Sequence, residues 1–168
     1  HGLSDRKTGT YYFVPHNADD TNLIHAGLPM QMFNEAIKRL QTHVNKVILL
    51  NDTCHAGGMQ MGARGVSAGE DLTESLIKAN GLYVLSASQA GEISLEREDF
   101  RFEGDDKGHG AFTYALLDGL RGKAADKEGV VWVSDLFGHV SKKVPRLTTG
   151  QQHPHHQMRG TDMPLFVL

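Results

Sequence analysis

An α/β fold, built on a mainly parallel β-sheet with helices on both faces, is predicted by three features of the chain. Short apolar runs alternate with segments of helical periodicity, the order expected when strands and crossover helices take turns. Two of the runs, Lys46-Val47-Ile48-Leu49-Leu50 and Gly81-Leu82-Tyr83-Val84-Leu85-Ser86-Ala87, are apolar almost throughout, as strands buried on both faces of a parallel sheet are. The length, 168 residues, suits one domain with a substantial core better than two, so a single domain over residues 1–168 is expected.

The elements follow in order. Tyr11-Tyr12-Phe13-Val14 is an aromatic and β-branched run closed by Pro15 and by the turn formers Asn17, Asp19 and Asp20, which predicts a strand and then a loop. From Pro29 onward Met32, Phe33, Ala36, Ile37 and Leu40 recur at three- and four-residue steps, which predicts a helix with Gln31, Lys38 and Arg39 on its wet side. The run from Lys46 to Leu50 is the first buried strand. Glycines 57, 58, 62, 65 and 69 then predict a loop, with a short helix over 72–79 before the second buried strand. Residues 96–109 are charged and irregular and read as a surface loop. Phe112, Ala115, Leu116 and Leu120 predict a helix, and residues 130–133 a strand. Ser134 is placed to cap a further helix through Leu136, Phe137 and Val140, which Pro145 should end. Pro164-Leu165-Phe166-Val167-Leu168 reads as a last strand.

Composition narrows the function classes. An apolar share of 39% with 22% charged residues is that of a soluble globular protein, outside the disordered range. No stretch approaches the roughly eighteen apolar residues of a membrane span. A net charge of −3 gives no general attraction to nucleic acid or anionic lipid, so neither is expected as a partner. One cysteine permits no intrachain disulfide, and a reducing, cytoplasmic location is the expectation. The chain opens on His1-Gly2 with no starting methionine or leader, which reads as a cut inside a longer protein.

In open α/β sheets chemistry gathers at the carboxyl ends of the strands. Cys54 directly follows one such end, in Asp52-Thr53-Cys54-His55-Ala56-Gly57-Gly58. A lone cysteine is ordinarily a small buried hydrophobe. A polar turn just past the strand, with small residues that let another backbone approach, points instead to a nucleophile. A thiol attacks as its thiolate, so it needs a base close by. His55 is adjacent, but neighbouring side chains point apart. His109, in Gly108-His109-Gly110, is a rival base. His1 precedes Gly2 and lies roughly fifty residues upstream of the cysteine.

That spacing resembles the caspase signature, and the residues resemble metacaspases and bacterial caspase-like peptidases more closely. A His-Gly pair, His1-Gly2, leads into the aromatic strand ending at Pro15 and the turn Asn17-Ala18-Asp19. The Asp-x-Cys-His-x-Gly block stands as Asp52-Thr53-Cys54-His55-Ala56-Gly57. Leu85-Ser86-Ala87-Ser88-Gln89, Gly110-Ala111-Phe112-Thr113-Tyr114 and Gln152-His153-Pro154 follow in the expected order, so the likeness covers almost the whole chain. The family's first strands are absent from it, which makes the expected fold an N-terminally truncated caspase-like one.

The resemblance implies a cysteine endopeptidase acting through an acyl-enzyme on peptide or protein substrates. Cys54 would be the nucleophile and His1 the general base, with the backbone amides of Gly2 and Cys54 as the oxyanion hole. Asp52, Ser86 and Ser88 would bind substrate. Asp52 stands where caspases that cut after aspartate carry a neutral glutamine, and an acidic pocket should select arginine or lysine. The alternative is that Asp52 caps the following helix or turn.

No cofactor is required for such chemistry. Calcium is the optional one, because of the acidic run from Glu92 to Asp106, although that run lacks the order of a dedicated calcium loop. No metal site is assigned: His153-Pro154-His155-His156 lacks a carboxylate or cysteine partner at ligand spacing and reads as a solvated loop. Arg64-Gly65 is the expected place for self-processing. Rival readings are a cysteine peptidase of other specificity, a catalytically silent homologue that only binds, and a histidine-rich metal-binding module. Oligomeric state is not legible.

Overall fold

The computed structural model describes residues 1–5, 7–18, 21–53, 81–89 and 92–168. The expected helix over 72–79, the glycine-rich loop and Arg64-Gly65 lie outside the described residues, as do Asp19, Asp20, Cys54 and His55.

Strand β5 (Leu82–Ser86) is the centre of the fold. It pairs in parallel with β4 (Val47–Asn51) on one side and antiparallel with β9 (His155–Arg159) on the other. Because successive strand side chains point to opposite faces, β5 serves two cores. Leu82 and Val84 meet Ile37 and Phe33 of helix α2 (Met30–Gln41). Tyr83 and Leu85 meet Phe112 and Ala115 of α3 (Ala111–Asp118), and Phe137, Val140 and Val144 of α4 (Val133–Leu147). Helices therefore cover both faces, as expected of an α/β fold. Each large side chain fully buried here contributes roughly 1.5–3 kcal/mol, and this second core holds most of them: Tyr83, Leu85, Phe112, Phe137, Val140 and Val144 are at or near zero exposure.

Among the described residues the parallel pairing is that of β4 with β5, and the other ladders are antiparallel. Strand β1 (Gly2–Ser4), β2 (Tyr11–Phe13) and β3 (Leu28–Pro29) form a small antiparallel sheet, with the four-residue helix α1 (Leu23–Ala26) before β3. Near the C-terminus β8 (Val130–Trp132) pairs with β10 (Pro164–Val167).

Several local expectations are corrected. Strand β4 is not buried on both faces: Leu50 is exposed and Val47, Ile48 and Leu49 are half-buried, since among the described residues β4 has a ladder partner on one side only. Residues 96–109 are not a loose surface loop. Strand β6 (Glu96–Arg97) pairs with β7 (His109–Gly110), Phe100 is buried, and Phe102 stacks on Tyr114 with the Arg121 guanidinium above it. Gly108 makes this closure feasible: a Cβ there would stand 2.1 Å from the Arg97 carbonyl oxygen. Ser134 does not cap α4 but lies in its first turn, donating from both its amide and its hydroxyl to the Asp162 carboxylate, so Asp162 supplies the capping acceptor from outside the helix. Pro145 does not end that helix, which runs on to Leu147 with the proline in its last turns. The histidine cluster is not a solvated loop either: His155 and His156 belong to β9, and His153 is bonded to Glu92.

Candidate active site

Of the residues named from the sequence, Asp52 stands at the carboxyl end of β4. Asn51 is buried and is the last residue of the strand, so Asp52 and Thr53 emerge at the sheet edge. Thr53 is held from three directions. Its hydroxyl lies 2.8 Å from the Tyr11 hydroxyl and donates to the Asn51 side-chain oxygen at 3.2 Å. Its carbonyl accepts from the Ser94 hydroxyl at 3.4 Å. The residue before Cys54 is thus fixed to the β1–β2 hairpin and to the segment that follows β5.

That hairpin carries His1 and Gly2. Gly2 opposes Phe13 in the ladder, and the Val14 amide donates to the His1 carbonyl at 2.9 Å, extending the pairing by one residue. His1 is exposed. The bond between Tyr11 and Thr53 ties the hairpin that carries His1 and Gly2 to the strand end that carries Asp52. Cys54 and its amide lie outside the described residues. The rival base, His109, is engaged elsewhere: its Nε2 is 2.8 Å from an Asp105 carboxylate oxygen and its ring leans on Phe102.

Asp52 is exposed as a residue, but its carboxyl end is hemmed in by protein, and the loss of water there pushes its pKa above the ordinary carboxylate value. A hydrogen bond from the Thr113 hydroxyl, 2.6 Å from Oδ2, opposes that rise. Glu96 adds to the rise as a nearby negative charge, and the Ser94 hydroxyl pulls weakly the other way. Gly110 stands between the two acids: a Cβ on it would lie 3.4 Å from Asp52 Oδ2 and 3.8 Å from Glu96 Cγ. The missing side chain leaves a methyl-sized gap with an Asp52 carboxylate oxygen and the stem of the Glu96 side chain beside it. Two like charges held in a partly desolvated space favour a cation between them. The partner of Asp52 is in the first turn of α3, whose N-cap is Gly110; the turn or helix after Asp52 that it would otherwise cap lies outside the described residues.

Ser86 and Ser88, expected at the substrate, are buried at 4% and 0% exposure. Ser86 sits in the ladder between Asn51 and His155, and the Ser88 hydroxyl donates to the Glu92 carbonyl at 3.4 Å. Both are packed inside the fold. Glu92 is itself a junction, accepting from the amides of Gln89 and His153 and contacting His153 Nδ1 at 2.8 Å. Burial would raise its pKa, but these bonds outweigh it and hold the carboxyl below its ordinary range. Gln152, fully buried, accepts from the Leu95 amide and donates to the Ala87 carbonyl, pinning both ends of the segment that carries Ser94.

Glu96, Thr113, Ser94 and Tyr11 received no functional role from the sequence. Glu96 is one of many acids in a charged stretch, and its nearness to Asp52 depends on the β6–β7 ladder. Thr113 lies inside a motif singled out for its order alone. Among the described residues no group of three or more histidine, cysteine, aspartate or glutamate side chains is arranged to hold a metal ion. No helix among them is long and apolar enough to cross a membrane. A cavity of about 510 Å³ lined by Lys46, Gly81, Tyr83 and Thr161 lies at the opposite, amino ends of β4 and β5, away from these residues.

Compared with known families, residues 1–165 match the caspase domain. No curated protein matches the chain.

Proposed function

Since the chain belongs to the caspase domain family, a family of cysteine peptidases acting on protein substrates, we propose that it is an endopeptidase that cuts after arginine or lysine through a Cys54–His1 dyad. The Cys54 sulfur attacks the scissile carbonyl while His1 takes the thiol proton. His1 then returns that proton to the leaving amine as the C–N bond breaks. Water hydrolyses the resulting thioester and regenerates the thiol. The Gly2 and Cys54 amides stabilise the oxyanion at each stage, a role for which a residue without a side chain beside the histidine leaves room. Ser86 and Ser88 back the substrate-binding edge from within. The chemistry draws on side chains and backbone amides and requires no cofactor. Calcium, if it acts, would do so through the acidic stretch, where Glu92 and Asp105 are each engaged by a histidine.

The observation that carries the specificity is the pair of carboxylates, Asp52 and Glu96, on either side of Gly110 next to the turn leading into Cys54. An arginine or lysine entering that space would neutralise both, whereas an aspartate would be repelled.

The experiment is covalent labelling with thiol-directed peptide probes ending in arginine, lysine, aspartate or leucine, followed by mass mapping. The expected result is labelling of Cys54 by the two basic probes, abolished by Cys54→Ala. Label on no cysteine, despite a folded protein, would favour a silent homologue. Equal labelling by all four probes would leave the peptidase and remove its basic specificity.

A further inference from the structure

We infer that Thr113 is a positioning residue of the specificity pocket, its hydroxyl holding the Asp52 carboxylate in the orientation and charge state that receives a basic side chain. The inference rests on the reading of Asp52 as the acid of that pocket.

Thr113 is the third residue of α3, and its Oγ1 donates to Asp52 Oδ2 across 61 positions of sequence at 2.6 Å, the length of a charge-assisted bond. The contact fixes one oxygen of a carboxylate that the Ser94 hydroxyl also reaches. It also places the carboxylate against the first turn of a helix, where the helix dipole favours negative charge. The groups acting on Asp52 divide by element. The loss of water disfavours the anion, as does Glu96, from β6; the hydroxyls of Thr113 and Ser94 favour it. Of the favourable contributions the bond from Thr113 is the largest. Without it, the loss of water and the charge of Glu96 would act unopposed by their largest counterweight, and the Asp52 pKa would rise further.

Thr113→Val tests this, because valine keeps the branched shape and removes only the hydroxyl; Thr113→Ser keeps the hydroxyl. Both are compared with wild type and Asp52→Asn on matched fluorogenic peptides ending in arginine or leucine. In parallel, the Asp52 carboxyl carbon is titrated by NMR, a readout independent of turnover. Thr113→Val is expected to raise KM for the arginine peptide about tenfold with kcat little changed, the scale of one lost bond to a charged group. Its leucine kinetics should change far less than its arginine kinetics, and its Asp52 titration midpoint should move to higher pH. Thr113→Ser should restore both. An unmoved midpoint together with unchanged arginine KM in Thr113→Val, or a serine variant behaving like valine, overturns the inference. If Asp52→Asn abolishes the arginine preference while Thr113→Val does nothing, only the role of Thr113 falls. If Asp52→Asn keeps the full preference, the pocket reading falls and takes this inference with it.

Discussion

The hydroxyls of Tyr11 and Thr53 lie 2.8 Å apart, and this bond ties the hairpin that carries His1 to the end of the strand that leads into Cys54. Neither residue was singled out from the sequence, and they are 42 positions apart. A dyad works only when base and nucleophile hold their separation. Tyr11→Phe keeps the buried ring and removes only the hydroxyl, so it is expected to cost about 1 kcal/mol of stability. Turnover should fall several-fold while KM for arginine peptides stays near the wild-type value, because Asp52 is held by Thr113 from another element. Urea unfolding and steady-state kinetics on the same preparation check both parts. Wild-type kcat in this variant would show that the tie does not serve the dyad.

Much of the fold was legible because its periodicity is local. The helix with Phe33 and Ile37 on one face, the central strand, and the helix with Phe137 and Val140 are written in steps of two, three and four residues. What failed depends on partners far away in sequence. The ladder that turns residues 96–109 into a packed element needs Gly108 to meet Arg97 and Phe102 to meet Tyr114. Strand β9 is rich in histidine and arginine, and only its pairing with β5 makes it a strand. The site divides the same way. His1, Gly2 and Asp52 were readable from ordered motifs, whereas Glu96 and Thr113 reach Asp52 only after the sheet and α3 have assembled.

Gln152 provides a test of the support behind the site. Its amide is fully buried and satisfies the Leu95 N–H and the Ala87 carbonyl. Gln152→Leu would fill a similar volume but leave both groups unpaired, at about 1–3 kcal/mol each. A loss of roughly 2–5 kcal/mol in chemical denaturation is therefore expected. A loss below about 0.5 kcal/mol would mean that water or a shifted backbone replaces the amide.

Gly110 sits at φ −64°, a conformation open to any residue, so its requirement is space and not backbone freedom. Alanine would make ordinary contact with Asp52 and Glu96, and Gly110→Ala should fold and retain part of its activity. Gly110→Val would fill the gap between the carboxylates and is expected to raise KM for arginine peptides at least tenfold, leaving thermal stability within a few degrees. Equal KM values for wild type and the valine variant would place the basic side chain elsewhere.

The last expectation concerns pH, and its sign follows from the surroundings of Asp52. Loss of water and the charge of Glu96 raise its pKa above the ordinary 3.8, against the pull of Thr113. The anion, the form that attracts a cation, is therefore present above the raised value and lost as pH falls through it. Protonation of the proposed base, His1, would also slow the reaction at low pH, but it would slow every substrate alike. The ratio of kcat/KM for an arginine peptide to that for the matched leucine peptide cancels the histidine and reports the pocket. That ratio should be high and flat near neutral pH, and should decline on acidification at a pH above the range of an ordinary aspartate. In Asp52→Asn it should be low, with the decline removed or reduced to whatever Glu96 contributes. Bond strength in the pocket sets the size of the effect: truncating one partner of a buried charge pair costs about 2–5 kcal/mol, so the ratio should drop by at least tenfold. A ratio independent of pH in the wild-type protein would show that no titrating carboxylate selects the substrate.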